Sequence, residues 1–312
     1  MAAAPRLTRR ICGLVAMLTL ATLARVVAAA PVTLGEFDGL KKSVTLPNGQ
    51  RIAFVELGDP SGRPVVLIHG IFDSSRAWLP VVPYLSTHDR LILVDSRGHG
   101  QSAKPECCYA LIDFAYDIKL LMDSLQLSRA DLVGHSLGSF ITQTFAEQWP
   151  ERTRRIVLLS SSGGERPCVA HKKPAVTVAD MIAEIKKLKE PIDPDSPFMM
   201  NWFASPAPLD PEFLRRERRD AAGIPLAVWL AIATQATPTI AVQNPALRRL
   251  TMPALLLWGS ADPFFGTEAR HTLRTALPHA EVKVYQGLGH NFFQQDPEST
   301  GQAINSFLDR GS

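Results

Sequence analysis

The sequence predicts an α/β fold: a mainly parallel eight-stranded sheet flanked by helices, with a helical cap inserted into the chain. Three observations carry the prediction. Apolar runs rich in β-branched residues alternate with segments of helical periodicity, as they do where parallel strands are joined by crossover helices. The alternation stops between Pro167 and Arg249, where helical patterns continue but no strand candidate occurs. The length of 312 residues suits one large domain carrying an insertion.

The elements follow in order. Lys42–Leu46 and Ile52–Leu57 flank Pro47-Asn48-Gly49, a turn signal, and read as an opening hairpin. Val65–Ile68, Leu91–Val94, Ala130–Val133, Ile156–Leu159, Ala254–Trp258 and Val282–Tyr285 read as the remaining strands. Helical patterns lie at Arg76–Leu85, Phe114–Leu125, Leu137–Trp149, Thr267–Leu277 and Thr300–Leu308. In the insertion, Val178–Leu188, Pro211–Ala222 and Leu226–Ala236 read as helices joined by proline-rich segments. The core therefore comprises residues 30–166 and 250–312, with the cap at 167–249. Such a cap would roof the carboxyl ends of the parallel strands, where open α/β sheets bind ligands.

Residues 1–29 read as an export signal. Arg6, Arg9 and Arg10 precede the apolar run Ile11–Ala24, and Val27-Ala28-Ala29 supplies small residues for cleavage after Ala29. The run is shorter than the about 20 residues that span a bilayer, which argues against an anchor. Arg9-Arg10 fits a twin-arginine signal loosely. The expected location is periplasmic or secreted. The formal charge of +3 owes four arginines to this segment; without them 29 cations face 30 acids. Neither nucleic acid nor an anionic surface is implied as a partner. Arg215, Arg216, Arg218 and Arg219 read as a solvated helix face. An oxidising compartment permits a disulfide, and Cys168 is expected to pair with Cys107 or Cys108. No cysteine and histidine spacing suggests a metal site.

The chemistry centres on Gly134-His135-Ser136-Leu137-Gly138, a G-x-S-x-G segment between a predicted strand and a predicted helix. The turn is so sharp that its flanking positions must lack side chains, and it holds the serine hydroxyl beside a helix N-terminus. A serine hydroxyl needs a base, and the base needs an acid to hold its tautomer. Asp262 and His290 follow the last two predicted strands, in the order Ser, Asp, His, and on loops that can converge on Ser136. The backbone amide of Leu137 is one candidate donor for an oxyanion. The second is expected from Ile71, with Phe72 as the fallback, in His69-Gly70-Ile71-Phe72.

Together these segments resemble the α/β-hydrolase superfamily over nearly all of the chain beyond the signal. His69-Gly70 is similar to the family's oxyanion-loop motif, and Asp95-Ser96-Arg97-Gly98-His99-Gly100-Gln101-Ser102 to its D-x-R-G-x-G-x-S segment. Asp262-Pro263 and Gly289-His290 match its acid and base loops, and the insertion its lid. The resemblance implies a Ser-His-Asp mechanism without a cofactor. Family members that carry Asp at the elbow are dehalogenases and epoxide hydrolases; Ser136 argues against both. Some members place the acid one strand earlier, but the loop after Leu159 offers only Glu165, which favours Asp262.

His69, His99, Asp95 and Arg97 are expected to brace their loops, and His135 to pack beside the elbow. Phe72, Met199, Met200, Trp202, Phe203 and Trp229 are candidate pocket residues. The expected reaction is hydrolysis of a small or medium hydrophobic ester. The rivals are a C–C bond hydrolase, lactonase, amidase or cofactor-free perhydrolase on the same triad, and, from a different class, a ligand-binding protein.

Overall fold

The computed structural model describes residue 1 and residues 32–163, 178–205, 207–236 and 245–310. The predicted signal and Cys168 lie outside the described residues, apart from Met1. Among the described residues, no helix is long and apolar enough to cross a membrane.

Eight strands form a single sheet: β1 Lys42–Thr45, β2 Arg51–Gly58, β3 Arg63–Ile68, β4 Asp89–Asp95, β5 Ala130–His135, β6 Thr153–Leu159, β7 Ala254–Gly259 and β8 Glu281–Tyr285. Their order is β1-β2-β4-β3-β5-β6-β7-β8. β2 runs antiparallel to β1 and β4, and all other neighbours are parallel. The opening hairpin turns where Pro47-Asn48-Gly49 places it: Gly49 takes φ 81° and donates to the Leu46 carbonyl.

The central strands are apolar at nearly every position because both faces are covered. Their side chains alternate between two cores. Val66, Ile68, Ile92 and Val94 face one apolar cluster, while Val65, Leu67, Leu91 and Leu93 face the other. Helices α1 Leu34–Gly39, α2 Leu111–Ser124 and α3 Leu137–Gln148 precede the insertion. The insertion holds α4 Val178–Ile185, α5 Pro197–Trp202, α6 Pro211–Ala222 and α7 Leu226–Gln235, and no strand among its described residues. After it come α8 Thr267–Ala276, α9 Phe292–Gln295 and α10 Pro297–Leu308.

Three expectations are corrected. The helix expected at Arg76–Leu85 is two 3-10 turns, Ser75–Trp78 and Val82–Tyr84. Pro80 and Pro83 supply no backbone donor and interrupt any longer helix. Cys107 and Cys108 bond each other, which leaves neither for Cys168. The arginine run on α6 is also less free than expected: Arg216 pairs with Asp38 of α1 at 3.1 Å and Arg218 with Asp195 at 3.0 Å. Arg215 pairs with Glu212 one turn earlier.

The D-x-R-G-x-G-x-S segment is structural, as expected. The Asp95 carboxylate accepts from Lys41 Nζ at 2.7 Å and from the amides of Ser75 and Gln101, both at 2.8 Å. Arg97 forks onto Asp117 with two 2.6 Å bonds and donates a third to the Cys108 carbonyl. His69 Nδ1 donates to its neighbouring carbonyl on Gly70 at 2.7 Å, and its Nε2 accepts from the Ser96 amide at 3.0 Å. Burial lowers His69 to about 4 and His99 to about 3, so both are neutral braces at ordinary pH.

Candidate active site

β5 ends in a turn that leads directly into α3, and Ser136 is the residue on which the chain reverses, with φ 48° and ψ −117°. A non-glycine residue in this region is strained, and it persists only where its surroundings impose it. They do so here by close approach. A Cβ on Gly134 would lie 2.2 Å from the Gly138 carbonyl oxygen, and one on Gly138 would lie 2.1 Å from that of Ile68. Both positions therefore demand glycine, as the motif predicts. Gly134→Ala and Gly138→Ala are each expected to destabilise the fold by about 1–3 kcal/mol, the usual range for overpacking, or to prevent folding. Urea unfolding monitored by tryptophan fluorescence measures this, and an unchanged midpoint would refute it.

The turn is braced from below. Ser139 Oγ donates to the Ser136 carbonyl at 2.6 Å and accepts from Ser161 Oγ at 2.7 Å. Gln143 Nε2 donates to Ser161 Oγ and to the Ser162 carbonyl, both at 2.9 Å, and the Trp258 indole N–H donates to the Ser161 carbonyl at 2.8 Å. These residues tie the start of α3 to the end of β6. The Ser160-Ser161-Ser162 run was visible in the sequence, but nothing in it distinguished a brace from an ordinary polar loop.

Asp262 and His290 stand on the loops after β7 and β8. His290 Nδ1 lies 2.9 Å from Asp262 Oδ2, while Oδ1 of the same carboxylate accepts from the amides of Phe264 at 2.8 Å and Phe265 at 3.1 Å. The Asp262 side chain is fully buried and that of His290 is 18% exposed, so the acid is sealed and the base reaches solvent. Burial alone would raise the Asp262 pKa; the charge and hydrogen bond of His290, with the two amides, outweigh it and hold the group at about 2.

A depressed carboxyl pKa stabilises the fold above its unfolded value, and this contribution disappears as pH falls through the folded value. The Asp262 contribution is thus complete above pH about 4 and lost on acidification toward pH 2. A shift of nearly two units corresponds to about 2 kcal/mol. Asp262→Ala is expected to lower the melting temperature at pH 7, with the gap to the parent protein narrowing below pH 4. A gap independent of pH would show that the carboxylate charge contributes nothing.

Ser136 is only 8% exposed. Hydrogen bonds between nucleophile and base often close only when substrate binds. The main chain already joins the two sides: the His290 carbonyl oxygen accepts from Ser160 Oγ at 2.7 Å and lies 3.2 Å from His135 Nε2. The His135 and His290 rings are 4.9 Å apart.

On the opposite side, Gly70–Asp73 makes a tight turn in which Phe72 takes φ 63° and the Asp73 amide donates to the Gly70 carbonyl at 3.4 Å. No backbone carbonyl among the described residues accepts from the amides of Ile71 or Leu137. These two amides, one on the turn and one opening α3, are the groups proposed from sequence as oxyanion donors.

The candidate pocket residues divide. Phe72, Met199 and Trp229 are 0% exposed and Phe203 6%, all within one apolar cluster, so they present almost no surface to solvent. Phe72 stacks on Trp229 with ring centres 3.6 Å apart, and the Trp229 indole donates to the Ala221 carbonyl at 3.1 Å. This pair docks the cap on the Gly70–Asp73 turn. Met200 points outward and is 49% exposed. Trp202 alone is both partly exposed and near the centre, 5.6 Å from Phe72 and 6.4 Å from Phe264.

Sequence reasoning missed Phe264 and Phe265. Phe264 meets the His290 ring edge-on at 4.9 Å and Phe265 lies 5.7 Å from it, and both are partly exposed. Their position directly after Asp262-Pro263 was the available signal. Among the described residues no group of side chains could hold a metal ion.

A family model described as the alpha/beta hydrolase fold matches residues 63–297. The chain is 30% identical over 253 residues to 2-(acetamidomethylene)succinate hydrolase of Mesorhizobium japonicum, a match covering 80% of this chain and 89% of that one. It is 26% identical to 2-hydroxy-6-oxo-2,4-heptadienoate hydrolase of Pseudomonas putida, covering 80% and 90%. The solved carboxylesterase CesB of Bacillus subtilis superposes with a TM-score of 0.72 at 23% identity, covering 87% of this chain and 93% of that one. Sheet order, strained serine turn and family match agree, and this chain belongs to the α/β-hydrolase family.

Proposed function

We propose that the protein is an exported serine hydrolase that cleaves small or medium hydrophobic carboxylic esters. The observation that carries this reading is the conjunction of Ser136 on a strained turn at a helix N-terminus with the His290–Asp262 pair at 2.9 Å. His290 Nδ1–H donates to the carboxylate, so Nε2 keeps a lone pair for the Ser136 proton. Ser136 Oγ attacks the ester carbonyl, and the amides of Leu137 and Ile71 hold the oxyanion. His290 then protonates the leaving alcohol, and water activated by His290 releases the acid. Trp202, Phe264 and Phe265 supply the partly exposed aromatic surface next to His290 that favours an apolar acyl or alkoxy group. The Arg6–Ala29 segment supports export to the periplasm or beyond.

Residues 30–312 assayed on p-nitrophenyl esters of increasing acyl length test the reading. Turnover that peaks at short or medium chains is expected. Trp202→Ala should shift that optimum toward longer acyl groups by enlarging the cleft; an unchanged optimum would place Trp202 outside the pocket.

The likeness to the succinate and heptadienoate hydrolases supports a second reading, an amide or C–C bond hydrolase on the same three residues. A panel of enamide and vinylogous diketone substrates separates it from the first: turnover there with inert esters would favour the second.

A further inference from the structure

We propose that His135 and Ser160 are positioning residues for the base: together they hold the main-chain carbonyl of His290 and so set where its imidazole stands relative to Ser136. The proposal rests on the Ser-His-Asp reading above and extends it to two residues outside the triad.

The geometry begins at the His290 carbonyl oxygen, which takes Ser160 Oγ at 2.7 Å and His135 Nε2 at 3.2 Å. A carbonyl only accepts, so His135 must carry its proton on Nε2. Burial, with His290 nearby, lowers the His135 pKa well below the usual value, and the ring is neutral. A neutral ring with its proton on Nε2 has a bare lone pair on Nδ1. That atom is buried and has no hydrogen-bond partner. The ring is locked between His290 at 4.9 Å and Phe293 at 4.6 Å, so it cannot turn away.

Asp73 is the neighbouring acid. Its Oδ2 and His135 Nδ1 converge over Gly70, 2.7 and 2.9 Å from where a Cβ on that residue would sit. Burial raises Asp73 to about 7, against the opposing pull of His290 and the Gly70 amide. Glu217 of the cap helix α6 is close enough to feel it electrostatically; Glu217 is 2% exposed, neither of its carboxylate oxygens is hydrogen-bonded, and its Oε1 lies 3.8 Å from Arg76 Nε. Burial raises Glu217 well above its usual value, and Asp73 and Asp220 raise it further against Arg76 and Lys41. A protonated Asp73 can donate where a carboxylate cannot, and the bare Nδ1 is an acceptor without a donor.

Ser160 carries its own mark. It is a non-glycine residue at φ 46°, its amide donating to the Leu257 carbonyl at 2.9 Å. Backbone strain of this kind is retained where a side chain must be aimed. The target is the base loop, whose other flank is tied to the acid loop by the Ala261 amide on the Leu288 carbonyl at 2.9 Å. Asp262 fixes one edge of the imidazole, and Ser160 with His135 fixes the backbone that carries it. His135 adjoins the nucleophile in sequence, so the same contact gauges the base against the serine.

The test uses a fluorophosphonate probe, which labels the serine without knowledge of the substrate, alongside ester kinetics on the full chain. His135→Phe keeps a ring but removes the donor, His135→Gln keeps a donor near Nε2, and Ser160→Ala removes the hydroxyl. Misplacing a reacting group by about 1 Å costs about 10²-fold, so His135→Phe and Ser160→Ala should each slow labelling about tenfold and the double variant about 10²-fold. The loss should fall on kcat with KM within about twofold, and His135→Gln should recover most of the rate. Labelling by both single variants within twofold of the parent overturns the proposal, as does His135→Gln falling as far as His135→Phe. If His135→Phe fails to fold, Ser160→Ala decides alone by the same limit. A parent protein that the probe does not label at Ser136 overturns the triad reading itself, a distinct result.

Discussion

Ser136→Ala is expected to lower kcat by on the order of 10⁴- to 10⁶-fold, with the fold intact. The hydroxyl is the only candidate nucleophile on the turn. Its removal leaves the Leu137 and Ile71 amides, the proposed oxyanion donors, which form no acyl-enzyme. Alanine also fits the site, because it removes one atom and adds none to a residue that is 8% exposed. The measurement is single-turnover and steady-state kinetics on a short p-nitrophenyl ester, with the melting temperature as control. Activity within tenfold of the parent would remove Ser136 as the nucleophile. A covalent adduct found on Ser136 by mass spectrometry of the parent protein would support the acyl-enzyme directly.

Asp262→Asn is the second large effect, and the surroundings of the carboxylate determine its direction. The amides of Phe264 and Phe265 both donate to Oδ1, so an asparagine must place its carbonyl oxygen there. Its NH₂ group then occupies the position of Oδ2, 2.9 Å from His290 Nδ1, and donates toward it. His290 is driven to the tautomer with its proton on Nε2, which cannot accept from Ser136. The expected loss in kcat is about 10³- to 10⁴-fold, with KM changed only a few-fold. The same variant with a loss below tenfold would mean that the base finds its tautomer without Asp262, and the acid would have to be sought elsewhere. Glu165, the alternative raised by the sequence, lies outside the described residues.

Part of the site was legible because its chemistry is local in the chain. Gly134 and Gly138 flank a serine between a strand and a helix, and the clash a Cβ would make at either position is a property of that turn alone. Asp262 and His290 could be named because each follows a strand in the expected order. The aromatic wall was read less well. Met199, Phe203 and Trp229 have the composition of a pocket, yet they are consumed in docking the insertion onto the core, while Phe264 and Phe265 stand beside His290. A hydrophobic side chain reads the same in sequence whether it lines a cleft or fills an interface. The helix expected at Arg76–Leu85 failed for a different reason: apolar spacing suggested it, but Pro80 and Pro83 removed the donors it needed.

The sequence by itself determined the family and the order of the strands along the chain, and it named the candidate serine, acid and base, because each is written in a short segment with its own steric or chemical demand. Only the tertiary structure decided the order of strands across the sheet, the burial of the cap residues, and the contacts of His135 and Ser160 with the His290 carbonyl. Those depend on which segments meet in space. His135 and His290 are 155 residues apart, and a hydrogen bond across that distance leaves no periodicity or spacing in the chain that could announce it.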